Sequence, residues 1–179
     1  QTQRLARLAD DIDEVSTAEE GRLDLDLHAH QVTDLLWAAH EGMRDRYAAR
    51  SVNLIIDTHA APGLTVHVDR HRIGQVLANL LSNALRHTPP GGTVIVTSRR
   101  VDAHARITVT DNGEGMTHEQ LAHAFERFYR GDQARDRDRG GTGIGLTISK
   151  AIIDAHGSFI TATSPGVGMG TEVTITLPV

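Results

Sequence analysis

Cysteine is absent from the 179 residues, which excludes disulfide staples and any thiolate-bound metal. Lysine is nearly absent: seventeen arginines stand against the single Lys150, a weak sign of a GC-rich bacterial genome. Aromatic residues make up only 3%, so aliphatic side chains must fill the interior. No apolar run approaches the roughly 18 residues needed to cross a bilayer, and no signal-peptide pattern opens the chain. There is no basic block either. The formal net charge is −5, and residues 1–20 hold six acids against two arginines, leaving the remainder nearly neutral. Such a chain lacks the electrostatic footprint of a nucleic-acid binder.

What is present suits one well-packed domain with an appendage. The chain begins on Gln1, partway into a helical pattern, and reads as a fragment of a longer protein. Leu5, Leu8, Ile12 and Val15 are spaced 3, 4, 3, the seam of a coiled-coil-like helix that needs a partner. Gly21 ends it. Leu23, Leu25 and Leu27 alternate with Asp24 and Asp26 as in a half-buried strand. A helix is expected from about Gln31 to Ala49, and strands over Val52–Asp57 and Leu64–Val68. Thr93–Val101 and Ala105–Thr110 read as a hairpin, Ile144–His156 as a helix, and Ser158–Thr163 and Thr171–Leu177 as closing strands. Helices and antiparallel strands alternate without regular βαβ spacing. That predicts an α+β two-layer sandwich, a mixed and mostly antiparallel sheet with about three helices on one face, plus the N-terminal helix.

One helix organises this pattern. From Arg72 to Thr88, Ile73, Val76, Leu77, Leu80, Leu81, Ala84 and Leu85 form a broad apolar stripe. Asn79, Asn83 and Arg86 or His87 follow at helical spacing along an adjacent face. Asparagine is a middling helix former, so two in the middle of an apolar helix need partners, either a neighbouring loop or a ligand.

Two glycine clusters bear on that choice. Asp111-Asn112-Gly113-Glu114-Gly115 places a carboxylate at a strand end, followed by glycines that let backbone approach closely. Alone, it is an ordinary Asp-Gly turn. Gly140-Gly141-Thr142-Gly143-Ile144-Gly145-Leu146 opens a helix whose free N–H groups suit phosphate. It is not a Walker loop, since no Lys-Ser/Thr pair follows, and no strand precedes it as a dinucleotide fold requires. Between the clusters lies a segment of alternating Asp and Arg with nothing apolar after Tyr129, which reads as a lid or a disordered loop. His118-Glu119 and His123 do not make a zinc site, because a spacing of five does not put both imidazoles on one helix face.

Taken in order, the Asn-x-x-x-Asn helix, Asp-x-Gly-x-Gly, Phe125-x-x-Phe128 and Gly-x-Gly-x-Gly resemble the ATP-binding domain of bacterial sensor histidine kinases. The wider fold, the Bergerat type, is shared with gyrase, heat-shock chaperone and mismatch-repair ATPases. The resemblance runs from about Leu23 to the C-terminus, and residues 1–21 resemble the end of the second helix of the family's dimerisation hairpin. It therefore implies a catalytic domain over 22–179 with a lid at about 127–141.

Residue by residue, the resemblance implies that Asn83 ligates Mg²⁺ and that Asn79 supports metal and phosphates. Arg86 stands where the family commonly has Lys, and His87 where Tyr is common. Asp111 would accept the adenine amino hydrogen, with Gly113 and Gly115 shaping the purine pocket. Phe128 would tether the lid, Arg130 would reach the γ-phosphate, and Gly141, Thr142, Gly143, Ile144, Gly145 and Leu146 would complete the phosphate end. The implied function is transfer of the ATP γ-phosphoryl to a histidine and onward to a response-regulator aspartate. It would take place in a homodimer, in the cytoplasmic part of a membrane-anchored sensor. Hydrolysing relatives carry a Glu where Asn79 stands, which disfavours a conformational ATPase. A non-catalytic nucleotide-sensing module is the remaining alternative. No His precedes His28, so this stretch lacks its own phosphoacceptor.

Overall fold

The computed structural model describes residue 17 and residues 23–58, 63–126 and 144–179. In chain order these form β1 (His28–Gln31), α1 (Val32–Ala49), β2 (Asn53–Asp57), β3 (Thr65–Val68), α2 (Arg70–His87), β4 (Thr93–Val101), β5 (His104–Asp111), α3 (His118–Ala122), α4 (Gly145–Ala155), β6 (Phe159–Thr163) and β7 (Thr171–Pro178). Five strands make one sheet in the order β2-β4-β5-β7-β6, while β1 and β3 pair separately. Only the β2–β4 pairing of the larger sheet is parallel, so it is mixed and mostly antiparallel, as expected.

Strand alternation assigns the two faces of this sheet. Val94, Val96, Ala105, Ile107, Val109, Val173, Ile175 and Leu177 are buried and face the helices. Against them pack Leu35, Leu36 and Met43 of α1, the apolar stripe of α2, and Ile148, Ile152 and Ile153 of α4 in a single cluster. The opposite face of the sheet carries Ile55, Ile95 and Phe159, all exposed, among polar residues, and no helix of the described residues covers it. Tyr47 links two helices from inside the core: its hydroxyl donates to the Leu81 carbonyl at 2.8 Å, and burial pushes its pKa up.

Helix α2 starts two residues before the apolar pattern because Asp69 caps it. Its Oδ1 accepts the N–H groups of His71 and Arg72 at 2.9 and 3.1 Å. Its Oδ2 accepts the Asp26 N–H at 3.1 Å, and its own N–H donates to His156 Nε2 at 3.1 Å. His156 Nδ1 lies 2.8 Å from the Ile152 carbonyl, which can only accept, so Nδ1 carries the hydrogen and Nε2 is the acceptor. The start of α2, the end of α4 and the chain leading into β1 therefore meet at one carboxylate.

Two expectations need comment. The alternating leucines at 23–27 do not form a strand. Residues 23–27 are irregular, Leu23 packs on the core, and the strand begins at His28, where Ala29 pairs with His67 of β3. The Asp26 bond to Asp69 holds this approach out of the ladder. The N-terminal helix, apart from residue 17, and the lid at 127–141 lie outside the described residues.

Candidate functional site

The second half of α2 carries Asn79, Asn83, Arg86 and His87, all partly exposed, beside the buried stripe. Asn79 Nδ2 donates to the Gly145 carbonyl at 3.2 Å, which fixes the amide so that its Oδ1 remains as an acceptor. That carbonyl also receives the Ser149 hydroxyl at 2.8 Å. The asparagine helix and the start of the glycine helix are thus brought together, as the spacing of the motifs requires. A methyl group at Gly145 would meet nothing closer than Asn79 Cγ at 3.7 Å, an ordinary contact, so nothing within the protein demands glycine there. Thr147 Oγ1 donates to the Phe125 carbonyl at 3.0 Å, tying the turn after α3 to α4. Ile144 is buried in the core, so its side chain cannot reach a ligand, and Leu146 packs partly against the same core. Arg127, Phe128, Arg130, Gly141, Thr142 and Gly143 lie outside the described residues.

Asp111 ends β5 and is buried. Burial pushes its carboxyl pKa up, and the N–H groups of Gly113 and Thr171 together with nearby His87 offset this only in part. Oδ1 accepts Gly113 N–H at 2.9 Å. The loop beyond is gripped on two sides. On one, the His87 carbonyl at the end of α2 accepts the Glu114 N–H at 2.9 Å, and His87 Nδ1 lies 3.1 Å from Glu114 Oε2. A Cβ on Gly113 would stand 2.1 Å from that carbonyl oxygen, which explains the glycine. On the other side lies the connection between β6 and β7.

That connection is the part of the site the motif reading misses. Gly168 N–H donates to the Glu114 carbonyl at 2.6 Å, and Gly170 N–H to the Gly113 carbonyl at 3.2 Å. The Ser164 hydroxyl accepts Met116 N–H at 3.0 Å and donates to the Gly170 carbonyl at 2.7 Å. Gly115 has φ +65°, and a Cβ there would stand 2.1 Å from the Gly166 carbonyl oxygen. Residues 164–170 are therefore a backbone clasp around the Asp-x-Gly-x-Gly turn. Its one visible signal is a second Gly-x-Gly-x-Gly-Thr run at 166–171.

The arrangement offers a buried carboxylate at one end and amide oxygens with a glycine-led helix start at the other. Asn79 and Asn83 supply the neutral hard-oxygen donors that Mg²⁺ accepts alongside water and phosphate, so these residues fit that ion.

Comparison with known proteins agrees with this geometry. Residues 68–179 match the family described as histidine kinase-, DNA gyrase B-, and HSP90-like ATPase. Over 175 residues, 97% of this chain, the sequence is 37% identical to the signal transduction histidine-protein kinase BaeS of Escherichia coli, spanning 37% of that protein. It is 44% identical over 117 residues to the sensor histidine kinase WalK of Bacillus subtilis, covering 64% of this chain and 19% of WalK. Among solved structures, full-length ShkA in complex with AMPPNP superposes with a TM-score of 0.85 at 26% identity, over 97% of this chain and 35% of that one. The Acinetobacter baumannii histidine kinase AdeS gives 0.81 at 25% identity, over 99% and 80%. The chain thus spans well under half of the curated relatives it matches.

Proposed function

We propose, from the premise that this chain belongs to the family of histidine kinase-, DNA gyrase B- and HSP90-like ATPases, that it is the ATP-binding kinase domain of a sensor histidine kinase. Its reaction would transfer the γ-phosphoryl of ATP to a histidine on a dimerisation domain. The observation that carries this reading is the presence, in one fold, of a buried aspartate at a strand end and an Asn-x-x-x-Asn helix held against the glycine-led helix by the Asn79–Gly145 bond. Residues 1–21 fit the end of a dimerisation helix, and 22–179 the catalytic domain. The protein's partners would be its own histidine-bearing helix and a response-regulator receiver domain, in a homodimer. No described helix is long and apolar enough to cross a membrane. A place on the cytoplasmic side of a membrane-anchored sensor belongs to the proposal.

In this reading Asp111 accepts the adenine amino hydrogen, which guanine lacks at that position. The clasped turn holds the carboxylate in a buried position, and a hydrogen bond made there discriminates most. Asn79 and Asn83 place their oxygens on the phosphate side. Magnesium bound there would neutralise phosphate charge. Helix α4 begins at Gly145 against Asn79, so its N-terminal N–H groups and positive dipole end lie beside that asparagine. Arg86 adds a cation, and Arg130 would add another from the lid. No carboxylate stands at Asn79 to activate water, so the chain positions a nucleotide for an incoming nucleophile rather than for hydrolysis.

The test is to incubate the protein with γ-labelled ATP and a separately made phosphoacceptor hairpin. Label should appear on a histidine of the hairpin. Release of free phosphate alone would overturn the kinase reading in favour of a hydrolase.

A further inference from the structure

The uncovered face of the five-stranded sheet holds a pair that ordinary folding would avoid. Arg99 of β4 and Arg106 of β5 stand directly opposite each other in the antiparallel register. Both lie on the uncovered face, since their neighbours Ser98 and Ala105 are buried on the other one. Like charges in this position destabilise a sheet. Arg106 Nε is buried with no hydrogen-bond partner. Neither arginine takes part in an ion pair between described residues. The row continues across the sheet from Arg106 to Thr176 and on to Phe159, whose ring is 67% exposed. Adjacent strands are about 4.8 Å apart, so Arg99 and Phe159 are roughly 14 Å apart, close to the reach of four extended residues.

We infer that this row is a docking surface for an acidic, extended segment of a partner protein, which sets carboxylates on Arg99 and Arg106 and an apolar side chain on Phe159. Charge complementarity selects the occupant. Two arginines on facing residues of adjacent strands offer donors suited to carboxylates, and a carboxylate brought to them offsets the repulsion. Two cations are too few for the polybasic clusters that hold anionic membranes. The row runs along the sheet at the end of β5 opposite Asp111, so the surface is separate from the nucleotide site and independent of the reading given for it.

The experiment uses the full chain and a synthetic peptide, Glu-Ser-Glu-Ser-Leu, whose two acids and leucine share one face of an extended segment, followed by amide and guanidinium NMR shifts. The expected result is shifts confined to Arg99, Arg106, Thr176 and Phe159, with affinity falling about tenfold in Arg99→Gln and in Arg106→Gln and weakening with salt. In the free protein, Arg99→Gln should raise the melting temperature at low salt, an effect that shrinks at high salt. Peptide binding unchanged by both substitutions would overturn the inference. So would equal shifts from inorganic phosphate, or arginine-dependent binding to phosphatidylserine-containing vesicles without binding to the peptide. A fall in melting temperature for Arg99→Gln would show that the pair is not in conflict and would overturn it as well.

Discussion

Asp69 and Asp111 are equally buried, each 8% exposed, yet their carboxyl pKa values move in opposite directions. Burial pushes both up. At Asp69 the N–H groups of Arg72, Asp26 and His71 outweigh it and hold the carboxyl below its usual range. At Asp111 burial wins, although Gly113 and Thr171 donate to it. The difference separates a carboxylate whose backbone donors outweigh its burial from one whose donors leave that burial uncompensated. The first is a fastener, and the second is the group that the function proposed above assigns to a ligand.

Four substitutions and one control would break or sharpen this contrast, the four taken in order of their expected effect on the stability of the free protein. Gly113→Ala should cost more than about 3 kcal/mol, because the new methyl meets the His87 carbonyl, which the helix end holds in place. Gly145→Ala is its control, expected within about 1 kcal/mol of wild type since space is available and alanine favours the helix. Denaturant midpoints of the two variants decide the point. Equal values would mean that the turn is not clasped.

Asp69→Ala should lose about 2 kcal/mol at neutral pH through the lost cap and the orphaned donors. Its folded pKa is lowered, so its contribution is complete above the ordinary carboxylate range and is lost as pH falls through the folded value. The variant and wild type should therefore converge in acid when unfolding is followed against pH.

Asp111→Asn should act in the reverse sense. The wild-type carboxyl is raised on folding, so ionising it costs stability as pH rises from the ordinary range through the folded value. Asparagine keeps an oxygen for the Gly113 N–H and removes that cost, but its NH2 cannot accept as the second carboxylate oxygen does, so the free protein should change by less than about 1 kcal/mol at neutral pH and lose the pH dependence. ATP affinity should drop by about 1.5–3 kcal/mol while preference over GTP collapses. Calorimetry with both nucleotides checks this, and a wild type that binds them equally would sink the adenine assignment.

Asn83→Ala, on the half-exposed phosphate side, should change stability by less than about 0.5 kcal/mol. It should abolish Mg²⁺-dependent phosphoryl transfer and leave adenosine binding intact. Loss of adenosine together with ATP would point to a damaged fold instead.

Much of this architecture is legible in the residues because its signals are local. The stripe from Ile73 to Leu85 announces α2, and the β-branched run Thr93–Val101 marks β4 to the residue. The misses arise where the determinants are distant in the chain. The leucine alternation at 23–27 imitates a strand, but pairing is decided by β3, nearly forty residues later, and by the Asp26 bond to Asp69. Asp69 precedes the apolar pattern, so the periodicity places the start of the helix at Arg72 and leaves the cap outside. The aspartate and asparagines of the site are readable as motifs. The clasp at 164–170 is built from backbone groups, which leave no side-chain signature beyond the glycines that permit it.

The clasp also has a practical consequence. Its tip carries Val167 and Met169, 69% and 66% exposed, so their side chains can be exchanged while the backbone bonds that grip the turn stay in place. Because the chain has no cysteine, Met169→Cys would create a unique attachment point for a fluorophore on the segment that touches Gly113 and Glu114. The molecule thus provides its own position for an optical reporter on the turn that follows Asp111, one that would respond to nucleotide if the proposed function holds.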